Sequence, residues 1–297
     1  MGYINIFVSN DAHISIKSSQ LVLKNNQTQV DYPLEDINSI MIESLKTTIS
    51  THTLSGLAKN GILTFICNQN HLPCGVVLPF CEHYQTLTNF KIQIGTSKPL
   101  QKQLWQNVVK NKIENQNEVL NICGGSDELK QYENAVLSGD SSNEEAKASL
   151  VYFKKLFGDD FKRRDNNIFN SFLNYGYSII RGFVARSLTV HGLMPFLGIN
   201  HSNQFNQYNL ADDLMEVFRP LVDLYVKIYL SNQNEINSKI KSEIFNIINF
   251  EVEIEGQKQA LSYAIDLYVQ SFVKSLKENK VLIKEIKIIG LNFHNYE

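Results

Sequence analysis

The stretch GLMPFLGINHSNQFNQYNLADDLMEVFRPLVD, residues 192–223, joins a polar loop to a segment with helical periodicity. Apolar residues recur in that segment at steps of three and four, which predicts one amphipathic helix over Leu210–Ser231. The loop before it carries His201. The predicted helix itself carries three closely spaced carboxylates, Asp212, Asp213 and Glu216.

These carboxylates lie on one arc of the predicted helix, beside its apolar stripe. Like charges at that spacing destabilise an isolated helix by about 0.2–0.5 kcal/mol per pair, so we expect a positive charge nearby. Arg219, three residues after Glu216, could supply that charge. A divalent cation is the alternative, because carboxylates combined with one imidazole suit Mg²⁺ or Mn²⁺.

The first eighty residues alternate apolar and polar side chains in short runs, which is typical of β-strands. The runs are YINIFVS, HISIKSS, QLVLKNN, TQVDYP and NSIMIES, followed by ILTFICN and GVVLPF. Thr51–Asn60 has the pattern of one short helix, with Thr51 or Thr53 as its capping residue. We therefore expect a β-sandwich-like domain over residues 1–83, built from two packed sheets and a single helix.

Residues 84–297 differ, because apolar residues recur there with a helical period almost throughout. The main predicted helices are Gln101–Ile122, Asp127–Val136, Glu144–Phe157, Phe169–His191, Leu210–Ser231 and Gln257–Glu278. Ser142 or Asn143 could cap the third of them, and Val281–Ile289 is compatible with a short terminal strand. The expected fold class is α+β, with the N-terminal β domain followed by a larger all-α C-terminal domain.

The chain has 297 residues, a formal net charge of −2 and 43% hydrophobic residues. This composition indicates a folded protein with an ample core, and it gives no globally basic surface for nucleic acid. Nucleic-acid binding would therefore depend on local patches. The basic candidates are Lys154, Lys155, Lys162, Arg163 and Arg164, followed by Arg181 and Arg186 on the next predicted helix. The alternative interpretation of such a charge run is a solvated face.

Four cysteines are present, Cys67, Cys74, Cys81 and Cys123. They contain no CxxC pair, so the sequence predicts neither a disulfide framework nor a usual zinc finger. A zinc site is conceivable where three of them lie near His71 and His83, although the spacing fits none of the common fingers. No segment has the character of a transmembrane span or a signal peptide. We expect a reduced, cytoplasmic protein without a membrane partner.

Four segments, taken together and in order, resemble the CRISPR-associated integrase family (Cas protein one), particularly its type II form. They are EAKASLVYFKKLFG from Glu145, NSFLNYGYSIIRGFVARSL from Asn170, GLMPFLGINH from Gly192 and NLADDLMEVFRPLVD from Asn209. The likeness covers nearly the whole chain, including THTLSGLAKNGI in the β domain. It implies a homodimer joined largely through the β domains and a catalytic site in the α domain.

The resemblance also implies three metal ligands, each matched to a position of this chain. A glutamate followed by small residues and Tyr-Phe corresponds to Glu145; Glu144 precedes it, and an alanine follows where the family often has glycine. The family histidine falls on His201, and the acidic ligand of the last motif falls on Glu216. Asp213 matches an aspartate that approaches the metal in other branches, so we treat it as an auxiliary ligand. The expected cofactor is Mg²⁺ or Mn²⁺.

The implied activity is insertion of new spacer DNA into a CRISPR array. A 3′-hydroxyl of a protospacer fragment attacks a phosphodiester at the edge of a CRISPR repeat, and water at the same site would give an endonuclease. The implied partners are DNA, a small protein that bridges two homodimers, and the RNA-guided effector nuclease. Candidate phosphate contacts, which position DNA without reading its sequence, are Arg163, Arg164, Arg181 and Arg186.

Two other functions stay open on the sequence. The same site would support a structure-specific, metal-dependent DNA repair nuclease, and an inactive member would be a DNA-binding scaffold of the adaptation complex. A full ligand set argues against the scaffold. Structural roles are also open: His201 as a turn histidine, Glu145 as an acid favoured by the positive end of a helix, and one of Tyr175 and Tyr177 as a core residue.

Overall fold

The computed structural model describes residues 2–78, 84–125 and 127–295. The strands of the first range are β1 (Ile4–Val8), β2 (His13–Lys17), β3 (Gln20–Lys24), β4 (Gln29–Pro33), β5 (Ile37–Ile42), β6 (Thr48–Ile49), β7 (Leu63–Cys67) and β8 (Pro73–Val77). Helix α1 (Thr51–Lys59) lies between β6 and β7. The Ser50 hydroxyl accepts a hydrogen bond from the Thr53 amide, so Ser50 caps α1 rather than Thr51 or Thr53.

These strands form two sheets of four strands each within the described residues. In the first sheet, β1, β5 and β7 are parallel and β8 is antiparallel to β7. In the second, β4, β3 and β2 are antiparallel neighbours and β6 is parallel to β2. Ile6 and Ile40 of the first sheet share a core with Ile14 and Leu21 of the second and with Leu57 of α1. The two packed sheets with one helix agree with the sequence-based expectation.

The rest of the chain is mainly helical, so the fold is mixed α and β. The helices are α2 (Thr86–Gly95), α3 (Lys98–Ile122), α4 (Lys130–Ala135), α5 (Glu144–Phe157), α6 (Ile168–Val190), α7 (Asn209–Met215), α8 (Arg219–Tyr229), α9 (Ser238–Phe245) and α10 (Leu261–Glu278). No helix in the described part of the chain is both long and apolar enough to cross a membrane.

The single helix predicted over Leu210–Ser231 is in fact two helices. A 3-10 turn at Glu216–Phe218 separates α7 from α8. Pro220 lies in the first turn of α8, where its missing N–H costs nothing; inside a continuous helix the proline would remove a hydrogen bond and clash with the preceding turn. The break places Glu216 at a junction between two helices.

The expectation of an all-α C-terminal domain is wrong. Three strands, β9 (Phe250–Ile254), β10 (Gln257–Ala260) and β11 (Ile286–Phe293), form an antiparallel sheet in the order β10-β9-β11. Along β9, buried apolar residues alternate with half-buried glutamates, which is the period of a strand. The predicted helix over Gln257–Glu278 accordingly starts only at Leu261, and β11 is the terminal strand that Val281–Ile289 suggested.

Helix α6 packs against α7, α8, α9 and α10, and it approaches its neighbours closely at two glycines. A Cβ atom on Gly182 would lie 2.3 Å from the ring of Phe65 in β7, and one on Gly176 would lie 2.4 Å from Val222 in α8. Any larger residue would push these elements apart. Helix α6 is therefore packed tightly both to the N-terminal sheet and to the helix that follows Glu216.

Candidate active site

Glu145 is fixed in the first turn of α5 by a cap that the sequence did not predict. The Asp140 carboxylate accepts hydrogen bonds from the backbone N–H groups of Glu144 at 2.8 Å and Glu145 at 3.1 Å. Asn143 precedes the helix in a left-handed conformation and makes no capping hydrogen bond with its side chain. Asp140 therefore has the role that we expected of Ser142 or Asn143. The capped helix packs against α3, where Glu145 contacts Lys112.

A lysine of α3 brings Glu145 and Glu216 together. The Lys112 Nζ lies 2.5 Å from Glu145 Oε1 and 2.5 Å from Glu216 Oε2. The side chains of Lys112 and Glu216 are 6% and 4% exposed, whereas Glu145 is 29% exposed and opens to solvent. Because two carboxylate oxygens contact the same nitrogen, they are close enough to share one cation. The neighbouring Glu144 instead pairs with Lys147 at 2.7 Å.

Glu216 has a second positive neighbour, since Arg219 Nη1 lies 2.9 Å from its Oε1. Burial alone would raise the pKa of Glu216, but the charges of Arg219 and Lys112 outweigh burial and hold that pKa below its usual value. Burial would likewise lower the pKa of Lys112, and the charges of Glu216 and Glu145 reverse this, so its pKa is raised. Both side chains are charged in this arrangement.

His201 is oriented by Asp213, which is fully buried. Asp213 Oδ2 accepts hydrogen bonds from the backbone N–H groups of Ile199 at 2.7 Å and Asn200 at 3.0 Å. Asp213 Oδ1 accepts from the His201 backbone N–H at 3.1 Å and lies 2.5 Å from the His201 Nδ1. These contacts assign Nδ1 as the protonated nitrogen and leave Nε2 available as a ligand.

Asp213 thus has a different role from the auxiliary metal ligand that we expected. Its two oxygens are already used by four donors of the loop before α7. The hydrogen bond to Asp213 is the main reason that the pKa of His201 is raised; burial opposes it, and the charge of Glu216 adds to it. The turn-histidine interpretation is accurate for the backbone of His201 but leaves the far side of its ring free for chemistry.

The repulsion expected among the three carboxylates of this segment is offset, because each has its own partner. Asp212 pairs with Arg181 Nε at 2.6 Å and accepts a hydrogen bond from the Asn206 amide at 2.7 Å. Asp213 holds the His201 loop, and Glu216 turns toward the cations of α3 and α8. Of the two sequence-based alternatives, the ion pair from Arg219 is present.

Helix α3 supplies two site residues that the sequence interpretation missed. Trp105 packs edge-on against the His201 ring at a centroid distance of 5.9 Å, and Lys112 lies two turns further along the same face. A usable signal was present: Lys112 occupies a buried helical position between Val109 and Ile113, where a lysine without a partner would be strongly unfavourable.

The donor set fits a divalent cation. Glu216 Oε2 is buried and, although close to the Lys112 ammonium, has no well-directed hydrogen bond. Two convergent carboxylates and an available imidazole nitrogen are ligands that Mg²⁺ and Mn²⁺ accept. Across residues 2–78, 84–125 and 127–295, no three His, Cys, Asp or Glu side chains are already gathered around one point. Lys112 stands between the two glutamates instead.

The conceivable zinc cluster is not assembled in the described residues. The thiol of Cys67 is buried against Met41, and burial raises its pKa to about 12. Cys74 is exposed, and the His71 ring lies near the backbone carbonyl of Glu43. Cys81 and His83 lie outside the described residues. Nothing within the described ranges gathers thiolate ligands in the way that zinc requires.

A cleft of about 750 Å³ opens beside Glu145 and Lys112, and basic residues line it. The predicted patch divides there into two kinds of residue. Arg163 is held in place: it donates hydrogen bonds to the side chains of Asn170 at 2.9 Å and Asn174 at 2.7 Å and lies over the Tyr177 ring. Arg164 is exposed and forms no hydrogen bond or ion pair within the described residues, so its charge is available to a ligand.

The expectation that Arg186 contacts DNA is wrong. Its side chain is buried, and Nη1 donates hydrogen bonds to the backbone carbonyl of Asn38 at 3.1 Å and to the Asn38 side chain at 2.8 Å. Arg186 therefore joins α6 to β5, because its place on the inner face of α6 points it into the protein. Arg181 lies on a different face of α6, where it is part-exposed and paired with Asp212.

The floor of the cleft contains a buried carboxylate that sequence interpretation also missed. Asp223 accepts hydrogen bonds from the hydroxyls of Tyr152, at 3.0 Å, and Tyr177. Burial raises the pKa of Asp223 to about 6, and the two hydroxyls limit the shift. Tyr177 lines the cleft between Arg163 and Arg219, whereas Tyr175 is buried in the core.

Comparison with known proteins places this geometry in a family context. The family model described as CRISPR associated protein Cas1 matches residues 6–245. A CRISPR-associated endonuclease Cas1 of Neisseria meningitidis serogroup C (strain 8013) is 37% identical over 305 aligned positions, covering 100% of both chains. A solved structure of a casposase bound to integration product has a TM-score of 0.74 at 18% identity, covering 94% of this chain and 92% of that chain. A chain of a Cas6-RT-Cas1–Cas2 complex has a TM-score of 0.69 at 18% identity, covering 94% of this chain and 35% of that chain.

Proposed function

This chain belongs to the Cas1 family, and on that premise we propose that it is a metal-dependent DNA integrase and endonuclease of CRISPR adaptation. The observation that carries the proposal is the convergence of Glu145 and Glu216 on one point beside the cleft. His201, oriented by Asp213, is close enough for its charge to help lower the pKa of Glu216. We assign the chain to the type II form on its four sequence segments.

Glu145, Glu216 and His201 would hold Mg²⁺ or Mn²⁺. When bound, such an ion would neutralise the charge that develops on the reacting phosphate. The chain's own residues prepare the site for it. Asp213 fixes the imidazole, and Arg219 holds one oxygen of Glu216 so that its carboxylate cannot rotate freely. This preorganisation limits the rearrangement needed at the moment of reaction.

The reaction exchanges one phosphodiester for another. A 3′-hydroxyl oxygen at the end of a protospacer fragment attacks a phosphorus atom at the edge of the CRISPR repeat, and the bond from that phosphorus to the old 3′-oxygen breaks. The attacking oxygen loses a proton and the leaving oxygen gains one. Because Nε2 of His201 would be bound to the ion and Nδ1 is held by Asp213, we assign that proton transfer to solvent water rather than to the imidazole. With water as the attacking group, the same step hydrolyses DNA.

DNA would lie along the basic cleft. Arg164 and Lys162 are exposed there and suit phosphate contacts, while Arg163 is placed by its asparagine partners and would present its remaining N–H groups to the same ligand. Arg181 would extend this surface on the His201 side, where it is part-exposed beside Asp212. Such contacts orient the backbone of DNA but do not select its sequence.

The proposed partners follow from the family and from the sheets. We infer a homodimer that is formed largely by the N-terminal β domain (residues 1–83), because sheet edges such as β4 and β8 offer unpaired backbone groups. A small protein would bridge two such dimers; the similarity to a chain of a Cas1–Cas2 complex supports this assembly. We also propose contact with an RNA-guided effector nuclease, because the type II assignment implies it.

A pair of adjacent substitutions tests the function. Glu145→Gln should lower strand transfer of a 3′-hydroxyl DNA end into a supercoiled target carrying a repeat on the order of 100-fold, because one charged ligand is lost. Glu144→Gln is the matched control: it changes the next residue, whose carboxylate pairs with Lys147, and should retain the parent rate. The assay contains Mg²⁺ or Mn²⁺ and the small partner protein.

Two outcomes would contradict the proposal. Equal integration by Glu145→Gln and the parent would remove Glu145 from the site, and a large loss in Glu144→Gln alone would shift the assignment by one residue. A parent protein that cuts branched DNA with metal but never joins ends, even with its partner, would instead support a repair nuclease.

A further inference from the structure

The Lys112 ammonium occupies the position where the two carboxylate ligands meet. Its Nζ lies 2.5 Å from an oxygen of each glutamate, and its side chain is almost fully buried. Within the described residues, the ion pairs at this point join Lys112 and Arg219 to Glu145 and Glu216. Two positive charges therefore contact two negative charges. The site is therefore electrically balanced by the chain itself.

A divalent ion added to this balanced group would leave a large excess of positive charge in a buried place, which is strongly unfavourable. The ion and Lys112 would also need the same oxygens, because Lys112 contacts Oε1 of Glu145 and Oε2 of Glu216. Arg219 contacts the other oxygen of Glu216 and does not contact Glu145. Lys112 is thus the cation that must move.

The structure provides a place for Lys112 to go. The cleft beside Glu145 is lined by Lys112 itself, together with Gln116 and Ser149. A lysine side chain is a flexible four-carbon stem and keeps its charge when it turns toward solvent. In the cleft its ammonium would meet the phosphates of bound DNA, which are also drawn there by Arg164.

We propose that Lys112 is a built-in substitute for the metal ion. It holds Glu145 and Glu216 together before a divalent cation binds, competes with that cation for their oxygens, and moves into the cleft to contact a DNA phosphate when the cation enters. This inference rests on the proposed function, since it uses the same ligand set. Lys112 would be a positioning residue without metal and a substrate contact with metal.

Mn²⁺ binding to the DNA-free protein tests the competition directly. The dissociation constant is measured by electron paramagnetic resonance of free Mn²⁺ for the parent, Lys112→Met and Lys112→Arg. Lys112→Met should bind Mn²⁺ about tenfold more tightly or better, because the competing charge is gone. It should also melt at a lower temperature without metal and gain more from added Mn²⁺. Lys112→Arg keeps the positive charge and should retain the weak affinity of the parent.

The outcomes separate this inference from the proposed function. If the parent binds Mn²⁺ and Lys112→Met binds it equally or more weakly, the inference is overturned and the metal site remains. A lysine with a purely structural role would not tighten metal binding when it is removed. No Mn²⁺ binding by any of the three proteins would overturn both.

A second measurement on the unchanged chain covers the case in which Lys112→Met does not fold. Reductive methylation followed by mass spectrometry reports how often each lysine amine is accessible. Mn²⁺ should increase the methylation rate of Lys112 several-fold. Lys241, equally buried and paired with Glu43 at 3.1 Å away from the site, is the matched control and should not change. A Lys112 rate unaffected by Mn²⁺ would overturn the proposed movement.

Discussion

Replacing Asp213 by asparagine removes one charge and turns one acceptor oxygen into an NH₂ donor, with almost no change in volume. The NH₂ group is accommodated best on the side of Oδ1, because the His201 ring can shift its proton to Nε2 and accept a hydrogen bond at Nδ1. The backbone N–H of His201 then has no acceptor, whereas those of Ile199 and Asn200 keep one.

The expected loss is worked from these bonds. One unmet donor costs about 1–3 kcal/mol, and the remaining bonds lose the charge that strengthened them, so Asp213→Asn should lower the free energy of unfolding by about 2–4 kcal/mol. The pKa of His201 should fall, since its hydrogen bond to Asp213 is the main cause of its raised pKa. Metal affinity should also drop, because the proton on Nε2 blocks the ligand position.

Urea unfolding and NMR titration of the His201 ring measure the two effects. Asp212→Asn is the matched control: its partner Arg181 is 42% exposed, so removing this ion pair should cost about 1 kcal/mol or less and leave the His201 ring nearly unchanged. An Asp213→Asn protein with parental stability and an unchanged His201 pKa would refute the role that we assign to Asp213.

Arg164→Glu should weaken DNA binding without changing the melting temperature, and it should lower the slope of log affinity against log salt concentration by about 1 for each phosphate that the protein no longer neutralises. Arg163→Glu should weaken DNA binding and also lower the melting temperature, because Arg163 holds Asn170 and Asn174. Fluorescence anisotropy measures DNA binding by the two variants, and thermal melts measure their stability. An equal fall in melting temperature for both variants would contradict the different roles assigned to Arg163 and Arg164. Stability should also depend on pH through Asp223, whose pKa is about 6 in the folded protein against 3.8 for an unperturbed aspartate, so the folded state binds the extra proton. The parent should therefore become more stable relative to Asp223→Asn as the pH falls from about 7 to about 4; urea unfolding that shows no such difference would contradict it.

Local patterns in the sequence were sufficient to predict much of the fold. The alternation in the first eighty residues predicts the two N-terminal sheets, and the helical period over Glu144–Phe157 predicts α5 with the bounds that the structure has. Both patterns are local because each element must present one apolar side to a core. They fail where signals compete: Pro220 splits one predicted helix, and the short β9 and β10 are hidden between helices.

The resemblance to the Cas1 family supplied the candidate ligands. It matched Glu145, His201 and Glu216 to family positions, and in the structure Glu145 and Glu216 both contact Lys112. The roles of the surrounding charges were decided only by tertiary contacts. Asp213 becomes a support for His201, Arg186 becomes buried against Asn38, and Lys112 takes the place between the glutamates. Such charges act over a few ångströms across helices that are distant in sequence, so periodicity and spacing do not encode their partners.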